Sequence, residues 1–257
     1  MVETNDLIKI LILSALASLS TGIGGLIVIN FKRNGKELFG FLGGLSTGVM
    51  IVATFFGLVF QSWQKIGFLV TTISFLVGNL VMLFFDSVIS HIRFSTLERG
   101  LFNSKLFQTG MLTMIGMILH NFPEGLAVPS AYLNLPSLGV TMAMAIALHN
   151  IPEGMMVGVP LLASGVSKMK SFMLTLFSGI VELIGSILGI LFLLIFGGIF
   201  NKLTSLSLAF AGGAMFFVVL DELNPISYKE GHEHFTALGI ILGSVLMFLL
   251  IGIFGNI

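Results

Sequence analysis

The chain has 257 residues, of which 56% are hydrophobic and 9% charged, with a mean hydropathy of +1.06. That composition excludes an ordinary soluble domain and points to a polytopic membrane protein. Twelve basic residues balance twelve acidic ones, which leaves no net field to attract nucleic acid, and the lack of cysteine excludes disulfides and thiolate metal sites.

Apolar windows long enough to cross roughly 30 Å of hydrocarbon fall at about 6 to 29, 38 to 60, 66 to 86, 109 to 131, 137 to 162, 169 to 199, 203 to 222 and 236 to 255. They predict an all-α protein of eight transmembrane helices. Because the connections are short except at 87 to 108, residues 1–257 are expected to form a single transmembrane domain. Glu3 and Asp6 precede the first apolar run and Lys32-Arg33 follow it, the reverse of a signal peptide, so the first span is expected to be retained. Short cytoplasmic loops collect Lys and Arg. The first, third, fifth and seventh connections hold nine such residues (Lys32, Arg33, Lys36, Arg93, Arg99, Lys105, Lys168, Lys170 and Lys229) against three (Lys9, Lys65 and Lys202) on the opposite side. Both termini are therefore expected outside a cell membrane crossed many times.

In the second span Gly40, Gly44 and Gly48 recur every four residues, as Gly185 and Gly189 do in the sixth. Such spacing lets two helix backbones approach closely. Met111, Met114 and Met117 recur every three residues; they are read as packing, although a thioether stripe is also a Cu(I) ligand type.

The polar content of the membrane is concentrated in one phrase, written twice: His120-Asn121-Phe122-Pro123-Glu124-Gly125 in the fourth span and His149-Asn150-Ile151-Pro152-Glu153-Gly154 in the fifth. Ionisable groups at that depth are costly and usually functional. His and Glu are four apart and Asn and Glu three apart, so all three project from one side of a helix. Each proline removes a donor, which leaves the Leu119 and Leu148 carbonyls without their helical partner and predicts a kink at the ligand turn. Counting at 1.5 Å per residue puts His120 roughly 16 Å into its span, and Glu182, the one acidic residue of the sixth span, roughly 20 Å into its own. The fourth, fifth and sixth helices thus direct two imidazoles, two amides and three carboxylates to one level near the midplane. This nitrogen and oxygen set suits Zn(II), Fe(II), Mn(II) or similar ions and suits Cu(I) poorly. Two adjacent sites bridged by Glu124 and Glu153 are compatible with the charge count, the second being weaker.

At these residues the sequence resembles the ZIP (Zrt/Irt-like) family of divalent metal transporters, bacterial type. The likeness extends over nearly the whole chain, with eight spans, outward termini and the paired His-Asn-x-Pro-Glu-Gly motifs. The resemblance implies a first metal site of His120, Glu124, His149 and Glu153, and a second of Asn121, Glu124, Asn150, Glu153 and Glu182. It also implies a homodimer in which the first, fourth, fifth and sixth spans move against the other four. Metal-release ligands are expected at Asp86, His91, Asp221 and Glu222. The Gly231-His232-Glu233-His234 stretch is read either as a further catch for a departing ion, through His232, or as a polar loop. Two features depart from the family: residues 92 to 108 contain no histidine, and the second span has no acidic residue after Glu37.

The expected activity is uptake of a divalent transition metal into the cytoplasm, zinc foremost with iron, manganese and cadmium as alternatives. The ion is cargo, and no prosthetic group is implied. An intramembrane metal-dependent hydrolase is disfavoured because no His-Glu-x-x-His pattern occurs and no carboxylate is left over as a base. A metal-gated channel needs sites weak enough for fast exit, whereas a chelating cluster of this size suits alternating access. A membrane metal-binding receptor is the remaining alternative.

Overall fold

A computed structural model describes residues 4–30, 36–89, 104–196 and 200–254. Among them there is no strand, and eight helices are long and apolar enough to span a membrane. They are α1 (Thr4–Asn30), α2 (Lys36–Ile66), α3 (Phe68–Ile89), α4 (Ser104–Asn134), α5 (Pro136–Ala163), α6 (Lys168–Ile195), α7 (residues 200–230) and α8 (Glu233–Phe254). Two are interrupted by π-helical stretches, Ala53–Val59 within α2 and Val219–Leu223 within α7.

Several helices outlast their apolar windows: α4 begins at Ser104 rather than 109, and α2 runs to Ile66 rather than 60. Hydropathy marks where lipid contact ends, but backbone hydrogen bonding continues until turn chemistry stops it. At the end of α2 the stop is Gly67, at φ +83°, whose N–H reaches the Trp63 carbonyl at 3.0 Å. At the end of α5 it is Gly165, at φ +104°, followed by a Val166 N–H that returns to the Leu161 carbonyl at 3.3 Å. Extended Leu135 followed by Pro136 opens α5, and the Ser167 side chain caps α6 by accepting from the Lys170 N–H at 3.4 Å. These tight turns force successive helices to run antiparallel.

The helices pack as two groups. In one, α1 and α4 each lie against both α5 and α6; in the other, α2 pairs with α8 and runs along α7, which pairs with α3. The groups meet where α4 faces α7 and where α2 faces α5. Contact between α2 and α8 is close enough that a Cβ at Gly44 or Gly48 would run into the carbonyls of Thr236 or Ile240, which is why small residues recur there. The main apolar core joins the groups and is rich in methionine: Met50, Met82, Met114, Met117, Met142, Met156, Met215 and Met247 are all buried in it, and Met111 packs against it. Unbranched, adaptable side chains fill such a seam well. Leu69 and Phe84 on α3, and Ile241 and Ile253 on α8, face outward, as a helix against hydrocarbon requires.

Candidate metal centre

Both motifs sit inside unbroken helices, and Pro123 and Pro152 terminate neither α4 nor α5. One lost hydrogen bond is tolerated when neighbouring helices hold the turn from outside. The glycine that closes each motif shows how they do so. A Cβ at Gly125 would strike the Glu182 carbonyl of α6, and a Cβ at Gly154 would strike the Thr21 carbonyl of α1. Each ligand turn is therefore clasped by a neighbouring backbone at van der Waals range.

At the crossing of α4 and α5 the structure brings together Glu124, His149 and Glu153, which offer ligand atoms all within 4.8 Å of one another. Their relative exposures are 0%, 0% and 1%. The His149 Nε2 lies 2.8 Å from Glu124 Oε1, so the imidazole engages the carboxylate of the other helix. Ser46, on α2 of the second helix group, donates from its hydroxyl to Glu153 Oε1 at 3.0 Å.

Around this trio the asparagines are fixed by their amide nitrogens. Asn121 donates to the Ser178 carbonyl of α6 at 2.7 Å. Asn150 donates to the Ala17 carbonyl of α1 at 3.0 Å and to Glu182 Oε2 at 2.6 Å. The opposite ends, Asn121 Oδ1 and Asn150 Oδ1, are buried with no hydrogen-bond partner among the described residues. Two carbonyl-type oxygens are thus held in place with lone pairs unspent, the arrangement a cation takes up. Glu182 is fully buried and joins the cluster through Asn150, without belonging to the tight trio. His120 occupies its motif position on α4, but its side chain lies outside the described residues.

The expected release residues belong to the other helix group. Asp86 near the end of α3 and Asp221 in the π-helical turn of α7 lie within electrostatic reach of one another. A π-helical turn often marks a functional position because it re-aims side chains within a helix. The Glu222 side chain and the whole of His91 lie outside the described residues. His232 is exposed at the turn before α8, its ring centroid 5.8 Å from that of His234.

Ser46 is the contact that sequence reasoning missed. It lies on the glycine-rich stretch of α2, where a small polar residue reads as helix packing, and 107 positions separate it from its partner. A cavity of about 890 Å³ is a different feature: apolar side chains of α3, α4, α6 and α7, among them Val77, Phe122, Leu188 and Phe210, form its walls.

The ZIP zinc transporter family matches residues 97–251. Over most of its length the chain is also similar to proteins described as zinc transporter ZupT. That of Streptococcus mutans is 34% identical over 256 residues, covering 92% of this chain and 94% of the relative. That of Clostridium perfringens is 33% identical and covers 95% of each chain. That of Chlorobium limicola is 34% identical, with 92% and 94% covered. The buried His/Glu trio, the eight membrane-spanning helices and these likenesses have one reading: the chain belongs to the ZIP family of zinc transporters, as a multi-pass membrane protein.

Proposed function

We propose that this protein imports divalent transition-metal ions, zinc foremost, by alternating access through the polar cluster between α4 and α5. The observation that carries the reading is the trio of Glu124, His149 and Glu153, buried at 0–1% exposure with ligand atoms within 4.8 Å. Two carboxylates and an imidazole replace much of the hydration shell of a borderline divalent ion, and their charge offsets the cost of bringing it to membrane depth. His120, on the same helix face as Glu124, would complete this first site. A second, weaker site would draw on Asn121, Asn150 and Glu182 together with Glu124 and Glu153, and the Oδ1 atoms described above support it.

The two-group packing supports the cycle. Glu124, His149, Glu153 and Glu182 belong to the group of α1, α4, α5 and α6, so movement of that group against the other four helices would carry the bound ion past a fixed scaffold. Release would follow toward Asp86 and Asp221, with His91, Glu222 and His232 as further candidate stations. A homodimer is the expected assembly. A fast channel is the weaker reading, because a chelating site empties slowly. The relatives named as zinc transporters, together with the missing base, argue against an enzyme.

Radioactive zinc uptake into proteoliposomes tests this, with wild type beside the Glu124→Ala, Glu153→Ala double variant and iron, manganese and cadmium as competitors. Saturable uptake in the wild type and background uptake in a folded double variant are expected. Equal uptake by the two would remove the cluster from the pathway.

A further inference from the structure

Three basic residues lie on the side that charge distribution assigns to the outside, and two of them converge. Lys65 at the end of α2 and Lys202 at the start of α7 are 137 positions apart in sequence, yet both line one polar cavity of about 360 Å³. The third, Lys9, is paired with Asp6 at 3.8 Å. The rest of the lining is Ile66, Leu133, Asn134 and Thr204, with no acidic residue. The cavity therefore carries two lysines, with Thr204 and Asn134 as its polar neighbours and two aliphatic side chains beside them. Lys65 donates to the Asn134 carbonyl at 3.4 Å, which accounts for one cation as a cap on α4. It does not account for Lys202. Positive charge with no acidic partner among the described residues is moreover unfavourable on the face through which a cation is to arrive.

We propose that this cavity binds a phosphate-type oxyanion, supplied by the headgroup of an outer-leaflet phospholipid or by free phosphate. Both lysines are exposed and so bring their charge to the anion without a desolvation penalty. The aliphatic side chains suit the glycerol portion of a lipid. Asn134 and Leu133 come from α4, whereas Lys65, Ile66, Lys202 and Thr204 come from α2 and α7, so the bound anion ties together the two helix groups at their outward ends. Resting on the transport reading above, that tie holds the outward end closed and slows a cycle that requires it to open.

Native mass spectrometry of the purified full chain reads the site without any transport. Wild type, the Lys65→Gln, Lys202→Gln double variant and the charge-conserving Lys65→Arg, Lys202→Arg variant are each equilibrated with phosphatidylglycerol, phosphatidylcholine or inorganic phosphate. Retention in wild type that falls about tenfold in the Gln variant and persists in the Arg variant is expected, with zinc binding intact in all three. Retention of the lipids assigns the headgroup as the source; retention of inorganic phosphate assigns the free anion. Equal retention by wild type and the Gln variant, or none by either, overturns the site. Zinc uptake then reads the tie: the retained anion slows wild type and leaves the Gln variant unchanged. Turnover that ignores the anion in both overturns the tie and leaves both the site and the transport reading standing.

Discussion

Glu153 serves two neighbours at once, as a member of the buried trio on one side and as the acceptor of the Ser46 hydroxyl on the other. A hydrogen bond to a charged group contributes about 1.5–3 kcal/mol. Ser46→Ala should therefore weaken zinc binding by about tenfold through lost positioning of the carboxylate, with helical content unchanged. Isothermal titration beside circular dichroism checks this, and wild-type affinity would take Ser46 out of the site. Protons act on the same cluster. Metal binding needs neutral imidazole and ionised carboxylate, so acid competes with the ion. Zinc affinity should fall between neutral and mildly acid buffer; identical titrations at both would exclude His149 and Glu153 as ligands. Glu124, His149 and Glu153 were legible in the sequence because ionisable groups at helical spacing in a long apolar run are too costly to bury for packing alone. Ser46 was not, because a hydroxyl among glycines fits close helix packing just as well.

Each motif is a helix turn that carries both candidate ligands and the gap its neighbour needs. Gly125 admits the α6 backbone at Glu182, and this contact brings the third helix to the ligand level. Gly125→Val should cost about 1–3 kcal/mol by overpacking and push Glu182 away from Asn150. The expected result is a lower unfolding temperature in detergent together with weaker zinc binding. A variant that melts and binds as wild type does would show that α4 and α6 do not approach this closely. The apolar windows located all eight helices but misplaced several ends; that of α2 fell six residues short because Gly67 stops the helix by backbone geometry rather than by polarity. Nor did periodicity reveal the π-helical turn at Asp221, where one extra residue is absorbed without any change in composition.

At the scale of the molecule, the two helix groups predict which restraints transport tolerates. The chain has no cysteine, so introduced pairs report cleanly. A Cβ at Gly57 of α2 would stand 2.8 Å from Met142 Sδ of α5, across the boundary between the groups. Ser14 and Ser186, on α1 and α6 of one group, have hydroxyls 2.7 Å apart. Cross-linking a Gly57→Cys, Met142→Cys pair should abolish zinc uptake until reductant is added, whereas a linked Ser14→Cys, Ser186→Cys pair should leave most of it. Inhibition by both links, or by neither, would reject rigid-body movement of these two groups. The methionine-rich seam between them is compatible with such movement, because thioether side chains repack at little cost.

The sequence by itself determined the solvent, the number of crossings and which ionisable residues are candidates for the centre. Each of these follows from local properties: unbroken apolar length, and ionisable residues three and four apart on one helix. Which residues outside the two motifs and Glu182 meet across helices was decided only by tertiary structure. Ser46 donates to Glu153, 107 positions away, and Lys65 and Lys202, 137 positions apart, line one cavity, all through helix crossings. Crossings are set by where two backbones can come close, and that depends on the fit of both partners at once, which no single stretch of chain encodes.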